Sequence, residues 1–305
     1  MGTSSRTLHA LVRAPGLVVA TVLTFLVGAL LPPLAGLALF VGGLAVMLAL
    51  CAGRLEGPAV RLLWGAKALS ATQTAGLEPA LTLLCRQGLG PPATELYVDD
   101  DELGITAGAA GRRSVVVSAG LAQAAQLGHL PADQTAAVIA AAVGRIRLGQ
   151  TRYDLAVQFW TIPWQLVLAV AAVTARAVRW LPLTGFAWRI RFVVAAVAVV
   201  QSVAAGRPAS AVVVAVFIAL TYLAPRWRRQ WDLRSQDDTD RFVADHGLGE
   251  ALARYLRRSL PGGRRPRTTT MTRTRTLERI HHLTAPALRP CLALVAADPA
   301  PGARG

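Results

Sequence analysis

The side chains that could bind a metal ion or transfer a proton are few and scattered. Five histidines occur among the 305 residues. His281 and His282 are adjacent, so on a helix they point about 100° apart and are poorly placed to bind one metal ion together. We interpret His129 as a solvated loop residue and His246 as a residue stabilised by the dipole at a helix C-terminus. The acidic run at residues 99–102 lacks the spacing of a calcium-binding loop and predicts a solvated turn.

A helical stretch at residues 137–150, AVIAAAVGRIRLGQ, is the most informative segment. In such a helix, histidines at i and i+4 would share one face and bind zinc, and a glutamate after the first histidine would act as general base. This chain has Ala141, Ala142 and Arg145 at those positions. Alanine offers no ligand atom, and arginine is always protonated in proteins. The stretch therefore lies where a metal-binding helix would lie, but it carries neither the metal ligands nor the general base.

The composition indicates a membrane protein in a reducing compartment. The chain is 53% hydrophobic and 16% charged, with a mean hydropathy of +0.44, which is too apolar for an ordinary soluble domain. Its net charge of +15 is almost all arginine, since Lys67 is the only lysine. We interpret the arginines as membrane-flanking and cytoplasmic, and we expect no nucleic-acid partner. The three cysteines Cys51, Cys85 and Cys291 form neither a disulfide framework nor a C-x-x-C pair.

Apolar runs predict two membrane sections. Residues 15–31 and 34–52 flank Pro32 and Pro33 and predict an N-terminal helical hairpin with both ends in the cytoplasm. The second section contains three shorter apolar runs at residues 154–175, 192–206 and 209–224. Either the first and last run form one hairpin, or the last two form a tight hairpin and the first only dips into the membrane. We favour four crossings in total, and five stays an alternative.

The polar segments predict a small α+β domain that is interrupted by the second membrane section. In its first part we expect, in order, a helix at 57–88, short strands at 95–98 and 114–118 around a glycine-rich turn, a helix at 119–127, and a helix that begins at Pro131. Its second part is polar from Pro225, helical, and broken near Gly247 and Gly249. A basic mobile segment at 261–275 and a short helix at TLERIHHL follow.

We therefore divide the chain into five segments. They are an N-terminal membrane hairpin at 1–53, the first half of the cytoplasmic domain at 54–153, the second membrane section at 154–225, the second half of the domain at 226–282, and a tail at 283–305.

This order of parts resembles the HtpX-like membrane zinc metallopeptidases, the group that also includes the CAAX-prenyl proteases. The pieces that carry the resemblance are LYVDD (96–100), GRRSVVVSAGL (111–121), AVIAAAVGRIRLGQ, QDDTDRFVADHG (236–247) and TLERI (276–280). The resemblance implies a mainly α fold with multi-span membrane helices and a small gluzincin-like α+β domain. It also implies a multi-pass protein of the bacterial inner membrane whose globular part is cytoplasmic.

The chain departs from the family pattern at every zinc and catalytic position. The first zinc histidine, the catalytic glutamate, the second histidine and the third ligand of the family fall, in that order, on Ala141, Ala142, Arg145 and Gln236. Asp240 and Arg241 still match the family's A-D-R, and the aspartate that closes the motif helix becomes Gln150. We therefore expect no zinc and no intact catalytic residue, although the family binds zinc.

The resemblance and its departures together predict a pseudopeptidase. It would act as a scaffold, a regulator of a related active protease, or a peptide-binding quality-control factor, with the lipid bilayer and a membrane protein or that protease as partners. We expect Arg145 to contact Asp237 or Asp238 where the metal would lie. We expect a peptide to add to an edge strand formed by Ser114, Val115, Val116, Val117 and Ser118.

Two alternatives remain open. One is an active zinc metalloendopeptidase with ligands outside the family pattern. The other is a module that binds anionic lipid through the arginines at 254, 257, 258, 264, 265, 267, 273 and 275.

Overall fold

The structure is a computed structural model, and it describes residues 3–90, 94–177, 197, 200–201, 204, 206, 208–260 and 270–284. The chain is mainly helical, with one small mixed sheet. It divides into two discontinuous units, Met1–Arg54 with Ala156–Leu233, and Leu55–Leu155 with Arg234–Gly305. Parts of three expected segments lie outside the described residues. They are 178–196 of the second membrane section, 261–269 of the basic segment and 285–305 of the tail.

The first unit begins with a helical hairpin. Helix α1 (Thr3–Ala29) and helix α2 (Pro33–Cys51) are joined by a turn at residues 30–32. Gly28 and Gly36 let the two helices approach closely, because a Cβ on Gly36 would lie 2.5 Å from the carbonyl oxygen of Gly28. The hairpin agrees with the sequence-based expectation.

Most apolar side chains of this hairpin face outward. Residues Ala10–Ala29 and Pro33–Cys51 are the two helical segments in the described part of the chain that are long and apolar enough to cross a membrane. Leu34 is 81% exposed. An apolar surface of this extent requires lipid or protein to cover it. That these two segments cross a membrane, and that further crossings follow residue 154, stays a prediction.

Two further helices of this region follow the expected apolar run. Helix α7 (Asp154–Trp160) and helix α8 (Ile162–Ala177) are separated at Thr161, just before Pro163, where we expected a kink. Trp160 packs on the hairpin, since its indole Nε1 donates to Thr21 Oγ1 at 2.9 Å.

The second unit contains a four-stranded sheet in the order β1-β2-β4-β3. Strand β1 (Lys67–Ala68) pairs antiparallel with β2 (Glu95–Asp99), and β2 pairs parallel with β4 (Ser114–Ser118). Strand β3 (Ala107–Ala110) pairs antiparallel with β4. The expectation that residues 114–118 form an edge strand is therefore wrong. Because β4 is hydrogen-bonded on both sides, an added peptide cannot pair with it.

The predicted single helix at 57–88 is also wrong. The segment forms helix α3 (Glu56–Trp64), strand β1 and helix α4 (Ala71–Arg86). Gly65 ends α3 in the left-handed conformation at φ +63. Ser70 then begins α4 with a reciprocal capping box to Gln73.

The helices after the sheet agree with expectation in position. Helix α5 (Ala119–Gln126) is capped by Ser118, and helix α6 (Ala132–Arg147) follows Pro131. Helix α9 (Pro208–Asp245) begins in the first unit and ends before Gly247, whose φ of +75 breaks the helix. Helix α10 (Gly249–Ser259) and helix α11 (Thr270–Thr284) complete the second unit. The expectation of a mobile segment is therefore wrong for residues 270–275, which form the first turns of α11. Its core lies between the sheet and helices α4, α5, α6, α10 and α11.

Candidate functional site

Helix α6 carries three of the four positions at which the family would place its zinc site. Its side chains from Gln134 to Ala140 are all buried. Ala142 is 1% exposed and belongs to the core, whereas Ala141 is half-buried and Arg145 is exposed. Residues at i and i+4 lie on one helix face. Positions 141 and 145 therefore share one side of α6, on which Ala141 packs at the edge of the core and Arg145 is exposed.

The C-terminal part of α9 lies directly against this part of α6. A Cβ on Gly144 would lie only 2.6 Å from Cδ1 of Phe242, a separation that side chains do not tolerate. A glycine at 144 therefore permits the close packing of the two helices. The fourth position, Gln236, lies on the same helix as Phe242 and is half-buried.

A second contact joins the end of α6 to α9 by side-chain hydrogen bonds. Gln150 is 4% exposed. Its Nε2 donates to the carbonyl oxygen of Ser235 at 3.3 Å, and Ser235 Oγ donates to Gln150 Oε1 at 2.6 Å. Ser235 precedes Gln236. Gln150 thus joins the end of α6 to α9 through its own side chain.

A third contact joins two pieces of the sequence that carry the resemblance. Asp240 lies in the A-D-R-like piece and Arg279 in TLERI. Arg279 Nε donates to Asp240 Oδ2 at 2.7 Å and its Nη2 donates to Oδ1 at 2.8 Å. The side chain of Asp240 is 9% exposed and that of Arg279 is 21% exposed. This bidentate and largely buried ion pair fixes α11 to α9.

The expected contact of Arg145 with an acid on α9 stays a prediction. Asp237 is exposed and Asp238 is half-buried. Asp240 is engaged by Arg279, so the acids left to meet Arg145 in residues 236–240 are Asp237 and Asp238.

The histidines of the described segments do not form a cluster. In that part of the chain no three His, Cys, Asp or Glu side chains come together as metal ligands. His246 stacks on Phe242 with ring centroids 4.3 Å apart, and its Nδ1 lies 2.7 Å from the carbonyl oxygen of Phe242. Because a carbonyl only accepts, Nδ1 is the donor. The expected loss of zinc stays a prediction that experiment must test.

Glu56 is a buried acid that the sequence did not single out. It is 6% exposed, and its carboxylate accepts from the backbone N–H of Arg112 at 2.9 Å and of Arg113 at 3.1 Å. Burial raises the pKa of Glu56, while the two N–H donors act in the opposite direction. Gly111, at φ +65, leaves room for this carboxylate, because a Cβ there would lie 2.9 Å from Glu56 Cδ. Glu56 thereby fixes the β3–β4 turn to α3.

Helix α3 covers the face of the sheet opposite α6. Tyr97 on β2 is 5% exposed, and its hydroxyl donates to Glu95 Oε2 at 2.6 Å. Burial and the neighbouring Glu95 carboxylate raise the pKa of Tyr97 to about 12. Trp64 at the end of α3 lies over Gly108 on β3, at 3.1 Å from where a Cβ would be. These contacts fix which face of α3 is turned toward the sheet.

Comparisons with family models, with curated proteins and with solved structures find no match to this chain. The case for any function therefore depends on the residues and contacts described above.

Proposed function

We propose that this chain is a membrane-embedded, catalytically inactive relative of the HtpX-like metallopeptidases that acts as a scaffold, regulator or peptide-binding quality-control factor. One observation carries the proposal. Ala141 and Arg145 lie on one side of α6, at the positions to which the resemblance assigns the two zinc histidines. Neither side chain offers a metal ligand, because position 141 holds a methyl group packed at the edge of the core and position 145 holds an exposed guanidinium.

The chemistry of these side chains argues against peptide hydrolysis. A guanidinium at position 145 places a fixed positive charge where a zinc dication would bind, and the two charges repel. Without a metal ion, no bound water becomes acidic and no carbonyl is polarised. Ala142 supplies no carboxylate to act as general base, and it is buried in the core.

The contacts between α6 and α9 explain how such a chain keeps its fold. Gly144 packs on Phe242, and Gln150 exchanges hydrogen bonds with Ser235. A structural metal ion contributes to folding by bridging distant segments. Direct packing and hydrogen bonds bridge the same two segments here, and these contacts support a scaffold that folds without a metal ion.

Peptide binding belongs to the same proposal, at a different strand from the one expected. Strand β3 (Ala107–Ala110) pairs only with β4 within the described residues. Ala109 and Ala110 are buried, whereas Ala107 and Gly108 are half-buried, so the first half of its other edge is where an extended peptide would add. A photo-crosslinking side chain at Ala107 should capture an unfolded casein fragment. The same group at Leu127, which is 57% exposed on the surface, serves as the control. Equal capture at both positions would argue against a peptide site at β3.

The proposal is tested by measuring casein cleavage and zinc binding in the unmodified chain and in a variant that carries the family's zinc and catalytic residues. The purified full chain, supplied with zinc, should not cleave casein. A variant with Ala141→His, Ala142→Glu, Arg145→His and Gln236→Glu restores the family pattern and should gain zinc binding. Chelator-sensitive cleavage by the unmodified chain would overturn the proposal and favour the active-enzyme alternative.

The lipid-module alternative is supported by part of α10. Arg257 and Arg258 are exposed. Arg254, in contrast, donates to Asp133 at 2.7 Å and so links α10 to α6. Retention of the full chain's preference for anionic lipid after Arg257→Gln and Arg258→Gln would argue against this alternative.

A further inference from the structure

The outward face of helix α3 is apolar, which is unusual for a surface helix in water. Residues 56, 57, 60 and 64 face the sheet through the contacts of Glu56 and Trp64. At 100° per residue, Leu55, Pro58 and Leu62 share the opposite side. All three are exposed, Leu62 at 82% and Leu55 at 37%.

The position of this face in the chain indicates what covers it. Helix α2, one of the two candidate membrane spans, ends at Cys51, and only residues 52–54 separate it from Leu55. Four residue steps reach at most about 14 Å. If α2 crosses a bilayer, the start of α3 must lie within that distance of the membrane surface.

Basic side chains flank the apolar face. Arg54 and Arg61 are exposed beside it. The guanidinium of Arg61 lies 5.9 Å from the ring centroid of Tyr97, and this contact holds the charged end of the exposed side chain at the border of the apolar face. Arginine pairs with phosphate through two N–H donors, so this arrangement suits phospholipid headgroups.

A second stretch of the same unit meets α3 at the β3–β4 turn. Thr151 Oγ1 donates to the carbonyl oxygen of Gly111 at 2.7 Å, and a Cβ on Gly111 would lie 3.0 Å from Leu155 Cδ1. Glu56 holds the same turn from the other side. The two ends of the Leu55–Leu155 part of this unit thus lie at the same turn. Near it, Tyr153 is 44% exposed, with the guanidinium of Arg152 at 5.5 Å from its ring centroid.

We propose that the outward face of α3 lies in the headgroup layer of the membrane, with Leu55 and Leu62 in the acyl boundary and Arg54 and Arg61 on anionic phosphates. Apolar residues on one face and arginines at its border are the pattern of an interfacial helix. The inference rests on the membrane location in the proposed function and is independent of the loss of peptidase activity.

A single fluorescent label on a cysteine-free full chain tests the proposal. The three cysteines are replaced by serine, and an environment-sensitive dye is attached after Leu62→Cys. Leu103→Cys, at a side chain that is 83% exposed, is the matched control, and Leu37→Cys in α2 reports membrane insertion. In phosphatidylcholine vesicles, spin-labelled lipid should quench the dye at 62 several-fold more than the dye at 103, while aqueous iodide should show the reverse order.

Each other outcome overturns the inference in a recognisable way. Equal access of iodide to positions 62 and 103 would mean that α3 faces water. Protection of position 62 from both quenchers would mean that protein covers it. Failure of lipid to quench the dye at 37 would remove the membrane location itself, and the proposed function would lose its localisation as well.

The headgroup charge is tested with the same label. Spin-labelled phosphatidylglycerol should quench the dye at 62 more than spin-labelled phosphatidylcholine does. Arg54→Gln should remove most of this difference, whereas Arg86→Gln, at the exposed end of α4, should leave it unchanged. Equal quenching by both lipids in the chain with Arg54 intact would contradict the pairing with anionic phosphate.

Discussion

Replacing Asp240 with asparagine should destabilise the second unit strongly, because it leaves the charge of Arg279 without its partner. The pair is bidentate, at 2.7 and 2.8 Å, and the Arg279 side chain is only 21% exposed. Breaking a fully buried pair costs about 3–5 kcal/mol. Since a fifth of the arginine side chain still reaches solvent, we expect Asp240→Asn to lower the free energy of unfolding by about 2–3 kcal/mol.

The assay is denaturant unfolding of the full chain in detergent, with a matched surface pair as control. Lys67 and Asp100 form an ion pair at 2.8 Å whose side chains are 71% and 47% exposed. Asp100→Asn should therefore cost less than about 1 kcal/mol. Adding Arg279→Met to Asp240→Asn should recover part of the loss, because the uncompensated charge is removed. Equal effects of Asp240→Asn and Asp100→Asn would refute the reasoning.

Three further predictions concern the contacts of the same unit. Gly144→Ala should destabilise the fold by about 1–2 kcal/mol through its clash with Phe242, despite alanine's better helix propensity, and Phe242→Leu should restore most of the loss in a thermal melt. Gln150→Leu should cost about 1–2 kcal/mol in denaturant unfolding, because Ser235 loses its side-chain partner in a mostly buried place, and a loss below a few tenths would contradict the contact. The pKa of Glu56 is raised in the folded state. The stability that this carboxyl contributes is therefore present at a pH below its unfolded-state pKa, and it is lost as the pH rises through the raised folded-state pKa. Glu56→Gln should flatten that decline when the melting temperature is measured against pH. An unchanged pH profile would count against a raised pKa for Glu56.

The elements with clear local signals were predicted well from the sequence. The N-terminal hairpin follows from two apolar runs around Pro32 and Pro33, and the structure places its helices there. The beginning of α6 after Pro131 and the break at Gly247 follow from the conformations that proline and glycine favour.

The sequence predicts the strands less well than the helices, because strand β3 has a weak strand propensity and the apolar run of β4 does not by itself show which of its edges is paired. Strand β3 has the sequence Ala-Gly-Ala-Ala, which contains no β-branched or aromatic residue, so its residues were interpreted as a turn. The run Val115–Val117 does not alternate with polar residues. Such a run is typical of a strand that is buried on both faces.

The sequence also predicts only part of the candidate site. The assignment of the zinc and catalytic positions to Ala141, Ala142, Arg145 and Gln236 follows from the resemblance and stays a prediction. The contacts of Gln150 with Ser235 and of Asp240 with Arg279 join residues far apart in the chain, and no local pattern predicts them. Glu56 belongs to no motif, so only the folded chain reveals that its carboxylate binds the β3–β4 turn.

The metal content of the purified full chain tests the central claim most directly. The protein is supplied with zinc during purification, washed free of unbound metal, and analysed by mass spectrometry. We expect far less than one zinc ion per chain, and the variant restored at positions 141, 142, 145 and 236 should bind more. Stoichiometric zinc in the unmodified chain, lost on treatment with a chelator together with any casein cleavage, would contradict the account.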